Sequence, residues 1–116
     1  MKTLTAMLGS LLLSTTFLAG AQPPPAPAAS GVHRYLVERT FPVGALDGLD
    51  AALKAKVNAN NAKFGVHWLM SYANGAKTKT YCVYEGPSEA AIREAATANG
   101  LPVDSVTEVP VTLLSK

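Results

Sequence analysis

The sequence predicts an α+β protein of the ferredoxin-like type, in which an antiparallel sheet carries two helices on one face. The first observation is a hairpin between Phe64 and Pro87, where two β-rich runs flank Asn74-Gly75. Asn-Gly predicts a two-residue type I′ turn, because that turn needs a positive φ at both central residues. The second observation is apolar spacing typical of a helix on each side of the hairpin, and the third is a strand-like run at each end of this region. The resulting order, β-α-β-β-α-β, is that of a ferredoxin-like domain.

The elements before the hairpin are a strand and a helix. His33 to Phe41 alternates in side-chain character and ends at Pro42, which cannot donate a hydrogen bond within a sheet. A helix is predicted from Leu46 to Phe64, with Asp47 as its N-cap and Asp50 close to the same helix end. We expect the apolar stripe of this helix to pack into the core, and the alternative is that it forms a partner-binding face. The stripe comprises Leu46, Leu49, Leu53, Val57 and Phe64.

The elements after the hairpin are a second helix and a last strand. Ser88 is a typical N-cap, and Ile92 with the alanines that follow forms a narrow stripe that lets the helix approach the sheet closely. Gly100 ends this helix. The last strand lies within Val103 to Leu114, and Pro110 places it at a sheet edge or at a bulge.

The N-terminal part of the chain predicts export. Residues 1–21 have the pattern of a secretory signal peptide, with Lys2 before a short apolar run and the small residues Ala19 to Ala21 at the cleavage site. The apolar run is shorter than the ~20 residues that a membrane-spanning helix needs. Residues 22–31 are rich in proline and predict a disordered linker, and residues 32–116 hold the folded domain. We therefore expect a secreted or periplasmic protein with no membrane span after the signal is removed.

Charge and cysteine content narrow the choice of partners. Lysine and arginine together number 10 and aspartate and glutamate 8, and Lys2 is lost with the signal, so the mature charge is close to zero. No basic patch indicates binding to nucleic acid. Cys82 is the only cysteine, so the chain forms no internal disulfide. An exported chain with one thiol buries it, pairs it between subunits or uses it.

The predicted sheet has more apolar side chains than two helices can cover. Alternation along the strands assigns them to two faces, and the larger set is also the more aromatic. Because such a surface is rarely left in water, we expect the same face of a second subunit to cover it. The sequence therefore predicts a homodimer through the sheet face bearing Trp68, which is a dimeric α/β barrel. The smaller set is Leu36, Leu69, Cys82, Tyr84, Val109 and Val111, and the larger set is Tyr35, Val37, Val66, Trp68, Met70, Tyr72, Tyr81 and Val83.

Two runs of the chain, YLVERTFP and GVHWLMSYANGAKTKTYCVYEGPSEAAIREAATANGLPVDSVTEVPV, carry a resemblance to a known family. Over Tyr35 to Val111 the chain resembles small bacterial proteins grouped as a domain of unknown function, some of which are described as nickel-binding. The resemblance implies a ferredoxin-like fold and a dimer, and it implies no known reaction. The chain departs from the family pattern at Met70, where many members have a histidine, and this removes an imidazole from any metal site carried over. The most specific matching positions are Glu38, Trp68, Ser71-Tyr72, Tyr81 to Tyr84, Pro87 and Gly100 to Pro102.

Glu38, His67 and Cys82 are the candidate metal ligands. They lie on the first, second and third predicted strands, and the third strand lies between the other two in a ferredoxin-like sheet. A carboxylate, an imidazole and a thiolate suit nickel or another divalent transition metal. Their spacing matches no ligand motif, so one alternative is an exposed Glu38, an exposed His67 and a buried, inert Cys82. A second alternative is a Cys82–His67 nucleophile and base.

Trp68, Tyr72 and Tyr81 are the candidate ligand-binding residues, which we expect to line a cavity between two subunits. The alternative is that these rings only pack the dimer. Together the observations predict an exported dimeric protein that binds a small ligand or a transition metal such as nickel without catalysis. Two alternatives stay open, namely a cofactor-free enzyme with its site between the two sheets and a structural module on a proline-rich tether. The residues do not identify the ligand, the metal or any substrate.

Overall fold

The computed structural model describes residues 31–116. The predicted signal peptide and almost all of the predicted linker lie outside the described residues. Within the described part, no helix is both long and apolar enough to cross a membrane. The elements are β1 (His33–Thr40), α1 (Ala51–Ala62), β2 (His67–Ala73), β3 (Lys79–Gly86), α2 (Glu89–Ala98) and β4 (Ser105–Glu108).

The strands form one antiparallel sheet in the order β2-β3-β1-β4. This order, with two helices on one face, confirms the predicted ferredoxin-like α+β fold. The last strand lies at a sheet edge, as Pro110 predicts. It ends at Glu108, and Val109 still donates one backbone hydrogen bond to Arg34 before the proline is reached. Pro110 therefore follows the strand and does not interrupt it.

The hairpin between β2 and β3 is present, but its predicted two-residue turn is wrong. The connection runs from Asn74 to Thr78, and the positive φ falls on Lys77 (57°) and not on Gly75. The Asn74 side-chain oxygen accepts hydrogen bonds from the backbone N–H groups of Thr78 (2.8 Å) and Lys79 (3.0 Å). An asparagine that satisfies two backbone donors stabilises a longer loop, which Asn-Gly alone does not reveal.

Helix α1 begins later than predicted. Asp50, not Asp47, is the N-cap, since its carboxylate accepts a hydrogen bond from the Leu53 N–H at 2.8 Å. The preceding segment forms successive turns through Gly48, a residue that weakens a helix. The helix also ends earlier than predicted, at Ala62 and not at Phe64, and Lys63 is its C-cap. Gly65 follows after a further turn and has the positive φ (71°) that favours glycine where the chain leaves a helix.

The core lies between the sheet and α2. Ser88 caps α2 as predicted, and the helix buries Ile92 together with three alanines, whose small side chains allow close packing. Ile92, Val37 and Val66 are the largest side chains that are fully buried. In α1, by contrast, Asn61 is the one buried residue.

The predicted assignment of side chains to sheet faces is wrong. Tyr35 pairs with Tyr84 and Val37 with Cys82, so these four side chains share the helix-covered face. In β2 a bulge between Trp68 and Met70 shifts the register. Trp68 therefore joins the helix-covered face and Met70 the opposite one, although both have the same parity in the sequence.

The face without helices still carries a large apolar surface, which we call the open face. Tyr72 is 66% exposed, Met70 47% and Tyr81 40%. Alternation shows which residues of one strand share a face, but the register between strands is needed to match those faces across the sheet. The face assignment made from the sequence lacked this register and therefore combined residues of both faces. The open face comprises Leu36, Met70, Tyr72, Tyr81 and Val83 as its apolar residues, with Arg34, Glu38, His67 and Glu85 among its polar ones.

Candidate ligand pocket

An open pocket of about 190 Å³ lies on the helix side of the sheet, beneath α1 and the loop that leads into it. Side chains of β2 and β3 form its floor, among them Trp68, Cys82 and Tyr84. Arg39 from β1 and Asn99 after α2 are among the polar residues of its wall. The apolar lining over the floor is Leu46, Leu49, Leu53 and Val57.

Four of the five residues of the predicted apolar stripe line this pocket, so the prediction that the stripe packs into the core is wrong for them; the fifth, Phe64, packs against the core. Leu49 is 37% exposed and Leu53 43%, and Val57 is half-buried. The C-terminal end of α1 is fastened to the end of α2 by hydrogen bonds from Asn60 to Asn99 and from Asn99 to Asn61, each 2.9 Å. The C-terminal end of α1 is thus joined to α2, while Leu53 of α1 and the two leucines of the preceding segment line the pocket.

Arg39 is the charged residue of the pocket, and it is only 2% exposed. One Nη donates to the backbone oxygen of Pro102 at 2.6 Å and the other to the Tyr84 hydroxyl at 3.3 Å. The guanidinium carbon lies 5.6 Å from the centre of the Tyr84 ring, within the range of a cation–π interaction. The Arg39 Nε is buried without a hydrogen-bond acceptor.

Tyr84 does not balance the charge of Arg39. Burial raises the pKa of the Tyr84 hydroxyl, and the nearby Arg39 charge opposes that rise without cancelling it. The phenol therefore stays neutral at physiological pH and offers Arg39 a hydroxyl oxygen and a ring face.

Cys82 is buried on the pocket floor, and its thiol contacts the Thr80 hydroxyl at 3.5 Å. Nearby, the Trp68 indole donates to the Ser71 hydroxyl at 2.8 Å. His67 precedes Trp68 in β2 and lies on the opposite face of the sheet. The Cys82–His67 nucleophile pair considered from the sequence is therefore not formed within this chain.

The predicted ligand-binding residues do not come together. Trp68 lines the pocket on the helix-covered face, whereas Tyr72 and Tyr81 are opposite each other on the open face. The pocket thus contains one of the three. Sequence reasoning missed Arg39, although a charged residue at the inward-facing position after Tyr35 and Val37 is a signal that could have identified it.

The predicted metal ligands are also separated. Cys82 is buried on the helix-covered face, while Glu38 and His67 lie on the open face. Glu38 accepts a hydrogen bond from the Ser105 hydroxyl at 2.9 Å, and His67 is opposite Glu85. Among residues 31–116, no group of three histidine, cysteine, aspartate or glutamate side chains is placed to hold a metal ion. The structure therefore does not bring the three predicted residues together within one chain.

Comparison with known families assigns this fold to a group. Residues 35–109 match the family described as "Nickel responsive protein SCO4226-like". The chain belongs to this family. The match covers both helices and all four strands apart from the first two residues of β1. It confirms the resemblance to small proteins with a nickel-related description.

A solved member of the SCO4226-like family has the same fold. The crystal structure of SCO4226 from Streptomyces coelicolor A3(2) aligns with a TM-score of 0.59 and 23% sequence identity, covering 69% of this chain and 99% of that one. At this identity the likeness establishes the fold alone. A search of curated proteins found no match.

In this SCO4226-like protein, the closest contact between an imidazole and a carboxylate is away from the pocket. His33 Nδ1 lies 2.7 Å from Glu108 Oε1, between β1 and the edge strand β4, and both side chains are about half exposed. The two residues are 75 positions apart, so their pairing follows from strand order and register. Two donors are fewer than the four that a closed transition-metal site provides.

Proposed function

We propose that this protein binds a small molecule, without chemical turnover, in the pocket between α1 and the sheet. The observation that carries the proposal is the apolar lining supplied by α1 and the segment before it, where Leu53 and Leu49 are more than a third exposed beside an open pocket. Small-molecule sites are concave and largely apolar, with a few polar groups that fix orientation. A stripe without a core to cover costs stability, and an apolar ligand would remove it from water.

We further propose a cellular location and an oligomeric state for this protein. We propose that the chain is exported to the periplasm or the exterior, on the pattern of Lys2 and Ala19 to Ala21. We also propose a homodimer, now through the open face and not through the face bearing Trp68. The support is the exposure of Tyr72, Met70 and Tyr81 on a sheet surface that no helix of the described chain covers.

The pocket is tested with Trp68, the single tryptophan of the chain, which reports from the pocket floor. Neutral apolar probes such as benzyl alcohol and octanamide should change its fluorescence in a saturable way. Leu53→Gln should weaken this binding several-fold, because the leucine lines the pocket. Ala52→Gln is the matched control, since Ala52 is exposed on the same helix and does not line the pocket. Absence of saturable change in the wild type, or equal affinity in both variants, would contradict the proposal.

The dimer is tested by light scattering at micromolar concentration. Val83 is in the middle of the open face, opposite Leu36 on one side and Met70 on the other. Val83→Glu should give the mass of one chain, because it would bury a charge at the interface. Ala98→Glu, on the exposed side of α2, should keep the mass of two. A wild-type protein that is monomeric under these conditions would contradict the assembly.

Nickel binding is the second candidate, and two observations favour it: the description of the family and the His33–Glu108 contact. A single chain does not supply a complete donor set, so nickel would need further donors from a second molecule or from solvent. Calorimetric titration with nickel of the wild type, His33→Ala and His67→Ala tests this candidate. Weaker binding in His33→Ala alone supports the contact as a site, and equal affinity in all three excludes it. A loss in His67→Ala alone would favour the open face.

The alternative of a cofactor-free enzyme with its site between two sheets stays a proposal of lower rank. The pocket described here is on the other side of the sheet. Its titratable groups are Arg39, Cys82 and Tyr84. Native mass spectrometry of the exported protein would measure mature mass, subunit number and bound metal together.

A further inference from the structure

We infer that the pocket recognises a small apolar molecule that carries one carboxylate, and that Arg39 is the residue that binds the carboxylate. The inference rests on the proposed function, because it names the class of ligand for the same pocket. It is carried by Arg39, a buried cation that lines the pocket and pairs with no anion of the described chain.

The Arg39 guanidinium has more N–H groups than hydrogen-bond acceptors around it. A guanidinium has five N–H groups. One donates to Pro102 O and one to the Tyr84 hydroxyl, which leaves three N–H groups without an acceptor in residues 31–116. Two of these three belong to the Nη nitrogens, which is the end of the side chain that a carboxylate contacts in a paired arrangement.

The buried charge of Arg39 has no counter-ion among residues 31–116. Burying a charge without an opposite charge is strongly destabilising. In the part of the chain that the structure describes, Arg34 pairs with Glu85 at 2.7 Å and Arg93 with Glu89 at 3.1 Å, although both are more exposed than Arg39. No carboxylate among residues 31–116 forms an ion pair with Arg39.

The nearby acidic side chains lie on the opposite face of the sheet from Arg39. The neighbours of Arg39 in β1 are Glu38 and Thr40, and alternation along the strand places both on the open face. There Glu38 and Asp104 interact with Lys79, the latter at 2.9 Å. Glu38, the acidic residue next to Arg39 in sequence, is thus separated from it by the sheet itself.

The rest of the pocket wall is mainly apolar. Leu49, Leu53 and Trp68 offer apolar surface, and the hydroxyls of Thr80 and Ser71 offer single hydrogen bonds. One cation in a mainly apolar pocket selects a ligand with one anionic group and an apolar body. The volume of about 190 Å³ is below the ~300–1,000 Å³ of pockets for drug-sized ligands, so the apolar body is small. Arginine also presents a planar fork that matches a carboxylate in a bidentate way.

The experiment compares each acid with its own amide, which has nearly the same shape and no charge. The probes are hydrocinnamate with hydrocinnamamide and octanoate with octanamide, titrated at neutral pH into the full exported protein and followed by Trp68 fluorescence. Hydrogen bonds that involve a charge contribute more than neutral ones, so each acid should bind about tenfold more tightly than its amide.

Variants identify the residue responsible. Arg39→Met keeps an unbranched side chain and removes the charge, so the affinity for the acids should fall about tenfold while that for the amides stays within about twofold. Arg93→Met is the matched control, because Arg93 is exposed on α2 and pairs with Glu89. It should leave all four affinities unchanged. If Arg39→Met does not fold, the acid-to-amide ratio of the wild type still tests whether the pocket prefers a carboxylate, and an equal affinity for acid and amide overturns the inference.

The outcomes separate the inference from the proposed function. Equal binding of acids and amides, unaffected by Arg39→Met, overturns the carboxylate inference and leaves a neutral small-molecule pocket. An acid preference that persists in Arg39→Met also overturns the assignment to Arg39. Absence of saturable binding by all four probes overturns the proposed function and the inference with it.

Discussion

Adding one methyl group at Gly86 should destabilise the protein, because the space beside this glycine is already filled. A Cβ at Gly86 would lie 3.1 Å from Ile92 Cδ1 and 3.2 Å from Val66 Cγ2, and both of those residues are 1% exposed. Overpacking of this kind costs about 1–3 kcal/mol. The stiffer unfolded chain of an alanine variant returns about 0.4–1 kcal/mol. We expect Gly86→Ala to lose roughly 1–2 kcal/mol and to melt roughly 5–15 °C lower by circular dichroism.

Two controls isolate the cause of that loss. Gly75 has no heavy atom within 4 Å of its Cβ position, and neither Gly75 nor Gly86 has a positive φ, so Gly75→Ala should leave the melting temperature unchanged or slightly raised. Ile92→Val removes the Cδ1 atom at 3.1 Å, so the double variant should be less destabilised than the sum of the single variants by about 0.5–1 kcal/mol. Equal stability of Gly86→Ala and Gly75→Ala would refute the packing argument.

Two further predictions concern a helix cap and an ion pair. Asp50→Ala should lower the free energy of unfolding in urea by about 0.5–2 kcal/mol, because it removes the hydrogen bond that caps α1. Asp47→Ala should change that free energy by no more than about 0.5 kcal/mol. A larger loss in Asp47→Ala than in Asp50→Ala would mean that α1 begins earlier. The hydrogen bond from Thr40, and then that from Lys79, lowers the pKa of Asp104 from its ordinary value of 3.8, so the stabilisation is present above pH 3.8 and is lost as the pH falls through the lower folded-state pKa. The hydrogen bond to Asp104 raises the pKa of Lys79 from 10.5, so the stabilisation from Lys79 is lost only as the pH rises above 10.5. Asp104→Asn should weaken the pH dependence of the unfolding free energy in urea at both ends of the range. Unchanged pH profiles would contradict a stabilising Lys79–Asp104 pair.

The two faces of the sheet have different chemical character, and the proposals assign them different roles. The helix-covered face combines a core under α2 with a pocket under α1, where Arg39 is the charged group. The open face combines aromatic and aliphatic side chains with ion pairs at its margins, such as Arg34–Glu85. If both proposals hold, dimerisation through the open face leaves the pocket of each subunit accessible.

Local sequence patterns were sufficient to predict the order of the elements and the fold class. Proline and glycine punctuation, the Ser88 cap and the small-residue stripe of α2 act within a few residues of where they occur, so they can be recognised without a structure. The start of α1 was missed by several residues because two aspartates compete as caps, and only the backbone shows that Asp50 is the one used.

The candidate site depended on tertiary structure. A bulge after Trp68 changes the parity of β2, and register decides that Cys82 shares a sheet face with Trp68 while His67 and Glu38 lie on the other face. No alternation within one strand carries that information, because it relates residues only to their own strand. The pocket depends on how α1 and the segment before it are placed over the sheet, which the spacing of the leucines does not determine. The sequence by itself therefore determined which helices and strands form and in what order, whereas packing between them decided that Arg39, without a carboxylate beside it, lines a pocket.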